Sequence, residues 1–135
     1  MTTLSLFPET TGEVTGQEWL GVSKDKWGYP QVVVRLLPKW TDAIGWQVGW
    51  LIQVGKAVDE WHPNNPRKHE QVGGWPWYRL DELPRSNHYQ VAAAQAGRAA
   101  KIVLEQMLGY VDAELHPEVK VVQEQIENQA RVWLQ

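Results

Sequence analysis

His62, His69, Glu70 and His88 are the side chains of this 135-residue chain that come nearest to a metal-ligand set. Imidazole and carboxylate together suit zinc or iron. Their spacing, however, follows no pattern with a mechanism behind it, and surface histidines account for them. The three serines, Ser5, Ser23 and Ser86, lie outside any G-x-S-x-G turn, so an activated serine nucleophile is not predicted. Asp81 and Glu82 are adjacent, and neighbouring side chains diverge, which argues against a cooperating acid–base pair. The segment GWLIQVGKA (49–57) approaches the phosphate-binding pattern G-x-x-x-x-G-K-[ST]. It has one residue too many between its glycines, and Ala57 replaces the hydroxyl that would hold magnesium. There is no cysteine, so thiolate metal sites, thiol nucleophiles and disulfides are excluded. No catalytic residue, metal site or cofactor is predicted, and the sequence points away from an enzyme.

Binding chemistry has better support. The segment Ser23–Pro30, SKDKWGYP, sets Trp27 and Tyr29 among Lys24 and Lys26. Rings beside ammonium groups suit single-stranded nucleic acid, because bases stack on the rings and lysines neutralise phosphates. Arg35 and Lys39 extend that patch if the strand geometry permits. The competing expectation is that Trp27 folds back on the sheet as a lid. Trp75 and Trp77, in the segment GGWPW, have few ways to bury both rings and are candidates for exposed recognition. Trp46 and Trp50 stand on one strand face and are expected in the core, with an aromatic platform as the alternative. Trp133, beside Val132 and Leu134, either packs within the monomer or anchors a second copy or a partner protein.

Those residues need elements to hold them. Gln31–Leu37, QVVVRLL, is a β-branched strand bounded by Pro30 and Pro38 and apolar on both faces, hence central. From Ile44 to Val54 every second residue is large and apolar, and Trp40–Trp61 therefore reads as one long strand. A helix is its alternative, capped by Thr41 or Asp42 and ended before Pro63. Residues 3–7 and 13–22 are further strand candidates, 62–74 is a turn-rich loop, and 75–84 is a short strand or an irregular belt. The composition changes at Ser86, a predicted cap. A helix over 87–108 should end at Gly109, with Tyr89, Ala92, Ala93, Ala96, Ala99, Ala100, Val103 and Met107 as its core stripe. A second helix runs from about Pro117 to Trp133, with Val119, Val122, Ile126, Ala130 and Trp133 as its stripe and Glu127–Arg131 as an i,i+4 pair.

Strands first and helices afterwards define an α+β domain. The expected fold is a single domain over 1–135: an N-terminal antiparallel β-sheet, curled or barrel-like (3–80, tryptophan-rich), followed by a C-terminal two-helix hairpin (86–134). Hydrophobic content of 43% and charged content of 21% describe a soluble globule. The opening MTTLSLFPETTG lacks the basic segment and apolar core of a signal peptide, and no apolar run is long enough to span a bilayer, so a cytoplasmic protein without membrane contact is expected. Net charge is −3. Residues 1–100 balance ten basic against ten acidic side chains, whereas 101–135 hold three against six. That distribution disfavours a duplex-DNA binder. Nine tryptophans, eight of them between Trp19 and Trp77, are the one compositional anomaly. The expected function is a non-catalytic protein–protein interaction module, a small adaptor or regulatory subunit that binds another protein or itself through the C-terminal helices. The alternative is single-stranded nucleic-acid binding through the sheet loops.

Overall fold

The computed structural model describes residues 18–63, 70–71 and 83–135. The strand expected at 3–7, the start of the one expected at 13–22, and Trp75 and Trp77 lie outside the described residues. Within them the chain is an antiparallel sheet covered on one face by two helices, the α+β order that the sequence predicts. The strands are β1 (Glu18–Lys24), β2 (Pro30–Thr41), β3 (Gly45–Val54), β4 (Ala57–Trp61), β5 (Glu70–Gln71) and β6 (Arg85–Ser86). They lie in the order β1-β2-β3-β4-β5, with β6 also on β3, and the sheet is not closed into a barrel. The helices are α1 (Tyr89–Met107) and α2 (His116–Trp133), the second preceded by a 3-10 turn over Ala113–Leu115.

The stretch Trp40–Trp61 is strand, but it is two hairpins rather than one strand. Thr41 pairs with Gly45 across a turn that includes Ile44, and Val54 pairs with Ala57 across Gly55–Lys56. Gly55 sits at the first central position of that two-residue turn with φ of +60°, the positive value such tight hairpins need. Alternation from Ile44 to Val54 runs straight into this turn, which is why the break is easy to miss. Pro38 does not end β2 either. It stands opposite Val48, whose N–H donates to the Pro84 carbonyl on the other side of β3. That pair carries no ladder hydrogen bond, so proline's missing N–H takes no bond from β3.

Trp46, Val48, Trp50, Ile52 and Val54 on β3 and Val32, Val34 and Leu36 on β2 point toward the helices and are buried. Val33 and Leu37, on the opposite face of β2, are buried too, as expected of a central strand. α1 lies against β3 and α2 against β1. Every residue of the predicted α1 stripe is in the core, together with Ala94, Gly97 and Leu104. Of the α2 stripe, Val119, Val122, Ile126 and Ala130 are buried and Trp133 is partly so. Ser86 is not the α1 cap but the second residue of β6, opposite Trp46, and its hydroxyl accepts the His88 N–H. α1 ends without a left-handed glycine: Gly109 keeps a negative φ, and the chain leaves through N–H bonds from Leu108, Gly109 and Tyr110 to carbonyls three residues back. Among the described residues no helix is long and apolar enough to cross a membrane.

Edge-to-face rings link the layers. Trp40 meets Trp46 at 5.6 Å, Trp46 meets Tyr89 at 5.0 Å, and Tyr89 meets Trp133 at 6.4 Å, a row that joins β2, β3, α1 and α2. Trp50 meets Trp61 at 5.3 Å, and its Nε1–H donates to the buried Asp59 carboxylate at 3.0 Å. On the outer helix surface, Glu127 accepts from Arg98 and Lys101, both at 2.9 Å, with Arg131 at 3.7 Å, and Glu105 accepts from Lys120 at 2.8 Å.

Two measurements test this account. At Gly49 an added Cβ would stand 1.8 Å from the Trp61 carbonyl oxygen and 3.0 Å from the Pro63 ring, because the chain leaving β4 passes directly over it. Gly49→Ala should therefore lower urea-unfolding stability by about 3 kcal/mol, the upper end for overpacking; an unchanged midpoint would mean the crossing is not this close. Hydrogen bonds from Arg98 and Lys101 hold the Glu127 carboxyl down to about 2, below its usual range near 4.3. A depressed carboxylate stabilises the fold above its unfolded pKa and loses that contribution as pH falls toward the folded one. The melting-temperature gap between the parent protein and Glu127→Gln should be full at pH 6 and should close between about pH 4.5 and pH 2. A gap independent of pH would assign the effect to packing.

Candidate interaction surface

The β1–β2 hairpin, the β3–β4 turn and the α1–α2 connection all reach the same end of the two-layer fold. The first of these carries the sequence-predicted aromatic and basic residues. Asp25 organises it: one carboxylate oxygen accepts the N–H groups of Trp27 and Tyr29, each at 2.9 Å, and the other accepts from Gln31 Nε2 at 3.1 Å. The Asp25 N–H donates to the Tyr29 carbonyl at 2.8 Å, the Gly28 N–H donates to the Asp25 carbonyl at 3.0 Å, and Gly28 takes a φ of +90°. An aspartate that bonds its own turn is a strong local lock, because it replaces water at N–H groups that the ladder cannot reach.

What this turn presents is apolar. Trp27 is 72% exposed and Tyr29 is 69% exposed, so Trp27 does not fold back as a lid. The Lys26 ammonium lies 4.5 Å from the centre of the Trp27 ring and shields one of its faces. Lys24 is exposed beside them.

The other predicted basic residues are elsewhere. Arg35 is on the β2 face away from the helices, its guanidinium 4.1 Å from the centre of the Trp19 ring. It lies five residues up the strand from Pro30, and Lys39 nine, which at the strand rise is about 17 and 30 Å. The sequence patch of Lys24, Lys26, Trp27, Tyr29, Arg35 and Lys39 is therefore a compact tip plus two distant side chains. Trp133 is partly buried against Tyr89 rather than standing free at the chain end.

A cleft of about 430 Å³ opens next to the tip. Its walls include Val54 and Leu115 from the core side, Lys56 from the β3–β4 turn, and Tyr110, Asp112 and Glu114 from the α1–α2 connection. Gln31 lines it as well and thereby joins it to Asp25 and the tip. Tyr110 is a third exposed aromatic, at 52%. Sequence reasoning missed this half, because Tyr110 and Gln31 are 79 positions apart and only the packing of the helical pair over the sheet brings them to one cleft. The local signals, a connection with Gly109, Asp112 and Glu114 and a Gly-Lys turn, mark loops but not their proximity.

The histidine candidates among the described residues, His62 and His88, belong to no metal-ligand cluster. His62 pairs with Glu60 at 2.8 Å, and His88 precedes α1. His69 and the Glu70 side chain lie outside the described residues, among which no group of three or more His, Cys, Asp or Glu side chains is placed to hold a metal ion. In comparisons with protein-family models, curated proteins and solved structures the chain matches none.

The Asp25 lock has a direct readout. Asp25→Ala should speed amide exchange at Trp27 and Tyr29 by roughly three- to tenfold, about 1 kcal/mol per hydrogen bond, while Asp25→Asn keeps most of the protection. Equal exchange in all three proteins would show that the turn holds itself without the carboxylate.

Proposed function

We propose that this protein is a non-catalytic protein–protein interaction module, a small adaptor or regulatory subunit of the cytoplasm, and that it docks through the Trp27–Tyr29 tip. One observation carries the reading: two large aromatic side chains stand about 70% exposed on a turn locked by Asp25. Exposing two such rings on a rigid turn costs solubility and gains the fold nothing. At an interface the same rings are the commonest energetic anchors, and a locked turn loses little entropy when it binds. Trp40, Trp46, Trp50 and Trp61 are spent on the core or its margin and Trp133 on Tyr89, so the tryptophan excess by itself is not the argument. Self-association through the C-terminal helices has less support for the same reason.

Single-stranded nucleic-acid binding is the second reading, favoured by Lys24 and Lys26 beside exposed rings. Against it, one face of Trp27 is taken by Lys26, and Arg35 and Lys39 lie too far along β2 to track the same backbone. Stacking needs an open ring face and a continuous basic path.

The double variant Trp27→Ala/Tyr29→Ala should keep its circular dichroism and melting temperature but lose partner proteins recovered by affinity capture, by about 30-fold for roughly 2 kcal/mol of anchor energy. An unchanged partner set would overturn the reading. In parallel, mixed-sequence single-stranded DNA and RNA should leave tryptophan fluorescence unaltered at low salt. Salt-sensitive quenching, weakened about 1–3 kcal/mol by Trp27→Ala, would promote the second reading instead.

A further inference from the structure

The tip and the cleft lie side by side on one end of the fold, and their chemistries are opposite. The tip offers Trp27 and Tyr29 with Lys24 and Lys26. The cleft offers an apolar floor at Val54 and Leu115, an exposed ring at Tyr110, and the carboxylates of Asp112 and Glu114. Each half also holds one charge of the contrary sign. Asp25 in the tip is engaged by its own turn, and Lys56 stands on the β3–β4 side of the cleft.

Charge usage sets this end apart from the helical surface. There Glu105 and Glu127 are bonded, to Lys120 and to Arg98 and Lys101 respectively, and Glu124 is the carboxylate without such a partner among the described residues. Lys24, Asp112 and Glu114 have no side-chain hydrogen bond or ion pair among the described residues.

We propose that the partner at this surface is a second copy of the chain. The dimer would be two-fold symmetric, with the tip of each copy seated in the cleft of the other. The inference rests on the interaction reading above and names its partner. A surface that carries a donor and its complement next to each other is self-complementary under a two-fold axis, which makes every contact twice. Lys24 and Lys26 of one copy face Asp112 and Glu114 of the other, and the exchange repeats across the axis. The cleft, at about 430 Å³, has room for an indole. Trp27 and Tyr29, about 70% exposed in each copy, would together remove roughly 400–700 Å² from water before the cleft walls are counted, against the ~1,200–2,000 Å² total of specific interfaces. The expected dimer is therefore at the weak end of that class.

The test is a charge exchange on the full chain, read by sedimentation equilibrium. Parent protein should approach twice the 15.5 kDa chain mass as concentration rises from micromolar to sub-millimolar. Lys24→Glu/Lys26→Glu and, separately, Asp112→Lys/Glu114→Lys should each weaken self-association by about tenfold or more, because both set like charges face to face. Mixing the two variants should restore it, since each tip then meets a cleft of opposite charge at both contacts. Circular dichroism of each variant guards against misfolding, and Trp27→Ala, which alters no charge, should weaken the parent dimer independently. A parent protein that stays monomeric at sub-millimolar concentration overturns the proposal, and so does a dimer that neither charge variant weakens or that mixing fails to restore. The interaction reading stands or falls separately, on whether the tip variants lose a different protein partner.

Discussion

The fold depends on a match of sizes across its middle layer. β3 sets Trp46 and Trp50 toward the helices, and α1 answers with Ala92, Ala93, Ala96, Ala99 and Ala100. An indole buried from water contributes about 4–6 kcal/mol at the usual area coefficient, an upper bound since the unfolded chain is itself partly collapsed. Two such rings facing a helix of large side chains would hold the layers apart. Facing alanine, they fill the gap themselves. The same fit fixes where α1 sits over β3, and through the helical hairpin where α2 sits over β1. Tyr89 at the start of α1 extends the match, because it takes Trp46 on one side and Trp133 on the other.

That packing also explains how the tryptophans divide. Those that point into the layer from β2, β3 and β4 meet one another edge-to-face or bond Asp59. Trp19 lies under Arg35 on the opposite sheet face, and Trp27 reaches into solvent from a turn. An indole on a strand facing the helices is a core residue by geometry. An indole in a four-residue turn held by its own aspartate has no layer to enter. Exposure at Trp27 is thus a consequence of the Asp25 lock as much as of the tip's position.

The turn end gains its composite character from the same constraint. Because the helices are seated by the alanine–tryptophan fit, the α1–α2 connection emerges beside the β1–β2 and β3–β4 turns rather than above the sheet's centre. The acidic residues of the connection then share a cleft with Gln31 and Lys56, which the chain places more than 50 positions earlier. On the outer helix surface Glu105 and Glu127 are instead neutralised by bases between α1 and α2, and Glu127 is held well below its usual range by Arg98 and Lys101. The acidity of residues 101–135 is thereby partly consumed in joining the two helices and partly left over at the connection.

The sequence by itself determined the α+β order and most of the buried faces, while leaving Trp40–Trp61 open between strand and helix. Periodicity is a local property, so the 3.6-residue stripe on α1 and the two-residue alternation on β3 could be read directly, down to every buried alanine of α1 but Ala94. It also located the Trp27–Tyr29 turn, since SKDKWGYP encodes its own hydrogen bonds through Asp25. Only the tertiary structure decided where runs of constant pattern are cut, as at Gly55, where a turn leaves the alternation unbroken. It decided too that Pro38 can lie inside β2, because its missing N–H falls at a pair that exchanges no ladder bonds. It alone decided which distant side chains become neighbours. Arg35 and Lys39 share a strand with the tip's base yet are carried away from it by the strand rise, while Tyr110, Asp112 and Glu114 are brought beside it by helix packing. Strands convert sequence separation into distance linearly, whereas the docking of one layer on another has no local signature. The chemistry of each residue was therefore legible from the start, and its company was not.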